Sequence, residues 1–201
     1  MSYQAALIPL LLLFASPQYV ISRSEPSGGA DTSKVYKNLE EALRNKEHVY
    51  HLKLTRKRYR EIPPEIFELT NLRTLNLKRN KIEEISPEIE KLQHLRELDL
   101  TRNDLKSVHP AVGKLSRLRI LKLGVNDIEE LPAELAQLQN LRELSVWSNF
   151  ITSLPVEFKQ FKNLEVIDFQ QTQHKPAEQE QMKSALPEGV DIRLSPPCKC
   201  M

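Results

Sequence analysis

Four asparagines, Asn80, Asn103, Asn126 and Asn149, stand 23 residues apart, and three apolar columns keep step with them. The first column is Leu72, Leu95, Leu118, Leu141 and Leu164. The second is Leu75, Leu98, Leu121, Leu144 and Ile167, and the third is Leu77, Leu100, Leu123, Val146 and Phe169. A fixed period in this range predicts a solenoid. Each unit is too small to bury its own apolar side, so it stacks on its neighbours.

The motif L-x-x-L-x-L-x-x-N-x-(Ile/Leu) runs from residue 49 to about 171 and resembles the leucine-rich repeat family in its 23-residue form. The resemblance implies an α/β solenoid, a right-handed horseshoe with a parallel sheet on its concave side. Five full repeats span 49–71, 72–94, 95–117, 118–140 and 141–163, with a partial one at 164–171. Each opens with a short strand. In the second repeat Leu75 and Leu77 point inward, while Thr74, Asn76 and Lys78 point outward by period-two alternation. The asparagine that follows sits where the chain leaves the sheet and buried backbone groups lose their partners. Its amide offers two donors and an acceptor, enough to satisfy them. Lys57 and Thr172 hold the equivalent positions at the two ends. The second half of each repeat reads Ile/Leu-Pro-x-x-(Ile/Leu)-x-x-Leu, as in Ile62-Pro63 with Ile66 and Leu69. This spacing after a proline predicts a short helical turn on the convex back.

The flanks leave the period. Residues 1–22 contain no Lys, Arg, Asp or Glu, and Ala5 to Ala15 is a short apolar run interrupted by Pro9. It is shorter than the roughly 20 residues a membrane span needs and reads as a secretory signal peptide. Residues 23–34 read as a flexible linker and 35–48 as an N-terminal cap, helical from Val35 to Lys46. Residues 172–195 read as a helix-plus-strand C-terminal cap and 196–201 as a tail holding Cys198 and Cys200. These features together resemble small secreted bacterial leucine-rich repeat proteins, which implies a secreted or periplasmic location. If the N-terminal stretch is retained, the expectation becomes an intracellular scaffold or signalling adaptor.

Neither composition nor motif points to catalysis. Lys plus Arg number 29 against 27 acids, a net charge of +2 that gives no general pull toward nucleic acid or membrane. There is no Gly-rich phosphate loop, no HExxH and no G-x-S-x-G. His48 and His51 lack further ligands, so no metal or cofactor is expected. Asp99 and Asp168 both face the concave side but lie three repeats apart, about 14 Å at the spacing of parallel strands, too far for a carboxylate pair. A non-enzymatic module that binds a protein is the expectation.

The outward positions of the sheet supply the candidate surface. Lys53, Arg56, Lys78, Arg79 and Arg102, with Lys57 and Arg58, gather near the N-terminal end and would attract an anionic partner. No exposed aromatic side chains interleave clearly with them, so nucleic acid is not expected. Trp147, Phe150, Val125 and Ile120 place apolar groups at outward positions of the fourth and fifth repeats. Exposed apolar residues in one region mark an interface, and tryptophan is favoured at its centre. Trp147 can equally lie flat over Gly124 and Val125 and serve the sheet alone. A further column, Arg73, Arg96, Arg119 and Arg142, reads as a solvated ladder near the sheet edge or as a binding stripe.

Overall fold

The computed structural model describes residues 32–172 and 175–196. The proposed signal peptide and Cys198 and Cys200 lie outside the described residues. Eight strands form one parallel sheet in chain order: β1 (Val35–Tyr36), β2 (His51–Lys53), β3 (Thr74–Asn76), β4 (Glu97–Asp99), β5 (Ile120–Lys122), β6 (Glu143–Ser145), β7 (Val166–Phe169) and β8 (Asp191–Leu194). Register follows the sequence period, so Leu52, Leu75, Leu98, Leu121, Leu144 and Ile167 sit side by side. The ladder continues past each strand: Leu77 N–H donates to Asp99 O at 2.8 Å and Leu100 N–H to Lys122 O at 2.8 Å.

The convex side is built from five 3-10 turns, Pro64–Glu68, Pro87–Lys91, Pro110–Lys114, Ala133–Gln137 and Val156–Gln160. A proline opens or immediately precedes each of the first four, and Pro155 precedes the last. Its fixed φ suits a helical first turn, and its missing N–H leaves nothing unsatisfied there. Ile66, Ile89, Val112, Leu135 and Phe158 point inward from these turns and are fully buried against the strand leucines. Each such side chain contributes about 1.5–3 kcal/mol relative to an exposed one. The middle of the core is aliphatic, while phenylalanine is reserved for its ends. Phe67 is buried in the first repeat, and Phe158 and Phe161 meet edge-on at 4.9 Å in the fifth.

The asparagine column performs the expected work at every position. Asn103 Nδ2 donates to Leu100 O at 2.8 Å and, across the repeat boundary, to Leu77 O at 3.2 Å, while its Oδ1 accepts from Ile82 N–H at 3.1 Å. Asn126 repeats this with Leu123, Leu100 and Leu105. Asn149 does so with Val146, Leu123 and Ile128. Asn80 bonds Leu77 and Leu54 and accepts from the N–H of Lys57. Every amide therefore ties two repeats together. At the far end the Thr172 hydroxyl donates to Phe169 O.

The N-terminal cap differs from the expected helix. Val35 and Tyr36 extend the sheet as β1 and pair with His51 and Leu52, and the helix α1 covers only Leu39–Arg44. The reason is local. Asn38 is an N-cap whose Oδ1 accepts from Glu41 N–H at 3.2 Å, which starts the helix there. A β-branched and an aromatic residue just before it then complete an otherwise open sheet edge. The end of the expected linker is also engaged, because Thr32 O lies 2.9 Å from His51 Nε2. At the other end α2 (Pro176–Ser184) buries Met182, and β8 pairs with β7.

Asn103→Ala should lower stability by about 1–3 kcal/mol, because it leaves the Ile82 N–H buried without a partner and takes one of two amide donors from the carbonyls of Leu77 and Leu100. Asn71, outside the column, makes a single exposed bond to Glu47 O at 3.0 Å, and its replacement should cost much less. Equilibrium urea denaturation of both variants checks the difference.

Candidate functional site

Four outward columns make up the concave surface. His51, Thr74, Glu97, Ile120, Glu143 and Val166 form the first. Lys53, Asn76, Asp99, Lys122, Ser145 and Asp168 form the second. Thr55, Lys78, Thr101, Gly124, Trp147 and Gln170 follow one outward step later, where the strands end. The last column, Arg56, Arg79, Arg102, Val125, Ser148 and Gln171, has φ between 54° and 61° throughout. This left-handed turn releases the chain from the sheet and points the next residue, the asparagine, inward. The N–H groups of the column still donate to the next repeat, as Arg79 does to Thr101 O at 2.9 Å.

The basic residues meet as the sequence implies. Lys53, Arg56, Lys78 and Arg79, with Thr55, Asn76 and Asp99, line a shallow depression of about 320 Å³. Arg102 continues the line of Arg56 and Arg79 one repeat on. None of Lys53, Arg56, Lys57, Arg58, Lys78, Arg79 and Arg102 belongs to an ion pair among the described residues. Asp99, the acid within the depression, is buried and committed. Its Oδ2 accepts from Asn76 Nδ2 at 3.0 Å and its Oδ1 from Thr101 N–H at 2.9 Å. Asp168 Oδ1 accepts from Gln170 N–H in the same way. Both carboxylates thus act as turn formers.

The fourth repeat ends the free positive charge. Lys122 Nζ lies 3.2 Å from Glu97 Oε1. Partial burial pulls the ammonium pKa down, but Glu97, Glu143 and Asp99 together outweigh it and hold the value above the ordinary one. Beyond Lys122 the surface turns apolar. The Trp147 indole lies directly on Gly124, where a Cβ would fall 2.3 Å from Nε1 and 2.6 Å from Cδ1. Trp147 therefore packs on its neighbouring repeat and remains half-buried. Val125 is half-buried beside it, at φ 58°. A β-branched residue in that region is a true outlier and carries about 1–3 kcal/mol of strain.

The other two apolar candidates stand apart from this pair. Ile120 is four residues from Gly124 along the strand direction, about 13 Å, with Lys122 between them on the same outward face. Phe150 lies beyond the turn on the flank of the solenoid, where its N–H donates to Ile128 O at 2.8 Å and its side chain is 64% exposed. The arginine ladder at the sheet edge is tied down at its ends. Arg73 sits 4.6 Å from the Tyr50 ring, and Arg142 lies 3.1 Å from Glu165.

Two features escape inspection of the sequence. Asn71, Asn140 and Asn163 form a second set of amides that bridge repeats, each donating to the carbonyl 24 residues earlier, at Glu47, Ser116 and Gln139. His94 and Arg117 interrupt the set, which hides its 23-residue period. His51 is not idle on the surface: Nδ1 is 2.8 Å from Thr74 Oγ1, so the ring links the first two repeats to Thr32.

A family profile described as leucine rich repeat matches residues 47–105 and 93–149, a little over half of the chain. The chain belongs to the leucine-rich repeat family. The solved structures agree. A leucine-rich repeat protein of Leptospira interrogans is 32% identical with a TM-score of 0.62, covering 83% of this chain and 49% of that one. This repeat protein thus spans about half the length of that relative. The leucine-rich repeat ectodomain of the receptor kinase SOBIR1 from Arabidopsis thaliana is 30% identical, with a TM-score of 0.54, and covers 62% of this chain and 71% of that one. A plant ice-binding protein is 27% identical with a TM-score of 0.50, covering 57% and 38%. No curated protein matches the chain. Among the described residues of this leucine-rich repeat chain, no helix is long and apolar enough to cross a membrane, and no group of three or more His, Cys, Asp or Glu side chains is placed to hold a metal ion.

Val125 gives a direct check on the strain stored in the concave turn. Val125→Asn should raise stability by about 1 kcal/mol, because asparagine tolerates the left-handed region far better. Thermal and urea unfolding of the variant against the parent measure it.

Proposed function

We propose that this leucine-rich repeat chain is a non-enzymatic binding module that holds a protein ligand on its concave face. The observation that carries the reading is the concentration there of basic groups outside ion pairs and of solvent-accessible apolar groups. Lysines and arginines outside any ion pair line one half, around the hydrogen-bonded Asp99, and a half-buried tryptophan with a strained valine lines the other. Strain and solvent-accessible apolar surface cluster where a protein acts on something else. Trp147 and Val125 are the proposed anchors, Ile120 and Phe150 secondary contacts, and the basic end steers an acidic region of the partner. The packing of Trp147 on Gly124 suits an anchor, since a ring already held in place loses little freedom on binding.

Export is part of the proposal. It rests on the uncharged, apolar residues before Arg23. N-terminal sequencing of the natural protein tests it: a start near Arg23 supports export, and a retained N-terminus favours an intracellular scaffold.

Binding is tested by capturing a partner with the full mature chain and repeating the capture with Trp147→Ala and Phe150→Ala. Loss of an anchor should weaken binding by about 2 kcal/mol or more for Trp147, and by less for Phe150. If Trp147→Ala leaves affinity unchanged and only lowers the unfolding temperature, the indole serves the sheet and the anchor role is wrong.

A further inference from the structure

The third and fourth outward columns run along the whole solenoid and change character once. Over the first three repeats they present Arg56, Lys78, Arg79 and Arg102, with no acid paired to any of them among the described residues. In the next two they present Gly124, Val125 and Trp147, after Lys122 has been neutralised by Glu97. A ligand that satisfies both halves carries negative charge at one end and a bulky apolar group at the other. Arg56 to Ser148 is four strand spacings, about 19 Å. That is about 13 residues of α-helix, but only about 6 of extended chain.

The periodicity of the charges decides between those shapes. Arg56, Arg79 and Arg102 hold equivalent positions of three successive repeats with φ of 59–61°, so their backbone positions repeat at the strand spacing, about 4.8 Å. An α-helix returns to the same face every turn, about 5.4 Å, so over two steps it drifts from the arginines by roughly 1 Å. An extended peptide returns to the same face every second residue, about 6.7 Å, and drifts by about 4 Å. Flexible arginine side chains absorb the first mismatch and not the second. We infer that the concave face takes an amphipathic helix of the protein partner, with acidic residues one turn apart on Arg56, Arg79 and Arg102 and a large apolar side chain on Trp147 and Val125. This rests on the binding reading above and adds the shape and charge pattern of the ligand.

Trp147 is the chain's single tryptophan, so its fluorescence reports occupation of the apolar end. The full chain is titrated with two tryptophan-free peptides of identical composition. One is a lactam-stapled helix with glutamates one turn apart and leucine at its far end. The other is a linear peptide with the glutamates at alternate positions. A sulfated oligosaccharide serves as a third ligand, and calorimetry confirms each affinity. The helical peptide should shift Trp147 emission and bind at least ~10-fold more tightly than the alternating one. Arg79→Glu should weaken it at least ~10-fold, and Val125→Asn should weaken it with the fold intact. Equal affinity for both peptides would mean that charge alone is read, and the inference fails. Binding of the oligosaccharide alone would assign the arginines to a glycan, and it fails again. If neither peptide binds while partner capture still depends on Trp147, the helix inference falls and the binding function stands. If capture is indifferent to Trp147 and Arg79, the function itself falls.

Discussion

Everything in this molecule depends on each repeat being unable to stand without the next. A 23-residue coil buries its leucines only when a neighbour covers them, and it satisfies its backbone only when a neighbour's asparagine reaches across. The two requirements coincide in space. Apolar contact brings the coils together without direction, and the amide ladder sets the register in which they meet. Carbonyls of Leu77, Leu100 and Leu123 each receive two amides, one from their own repeat and one from the following repeat. Parallel strand pairing and the convex turns follow from that register.

Because the inward positions are fully engaged, the outward ones are free to differ. The left-handed turn after each strand shows this division. Its φ is constant because the fold requires it, yet the residues filling it run from three arginines through valine to serine and glutamine. A backbone position that accepts glycine or asparagine most readily holds neither in any repeat. The side chains there were not chosen for conformational ease, and the free charge of the arginines matches that view. Energetically the ladder supports strain on the concave side: the four asparagines contribute more than the roughly 1–3 kcal/mol that Val125 costs.

The repeats were legible in the sequence because one period governs leucine, asparagine and proline together, and a single count exposes all three. The caps were less so. Val35 and Tyr36 lie directly beside a helical stretch, and the open sheet edge draws these two strand-favouring residues out of it. The second amide set was hidden by His94 and Arg117, since a ladder with two missing rungs has no period. The concave surface was legible by column but not by distance. Counting outward positions puts Lys53, Arg56, Lys78 and Arg79 together, and they share one depression. The same counting groups Ile120 and Phe150 with Trp147, although Lys122 intervenes in one case and a turn of the backbone in the other. The contact of the indole with Gly124 was anticipated because glycine is the one residue that leaves room for it.

The claim that the repeats stand only by leaning on one another is most directly tested by native-state hydrogen exchange on the amides bonded to asparagine side chains, those of Ile82, Leu105 and Ile128. In three different repeats they should exchange with one common free energy, equal to that of global unfolding. Exchange of these three amides at unrelated rates, well below the global stability, would show that the coils hold themselves up separately and would contradict the account.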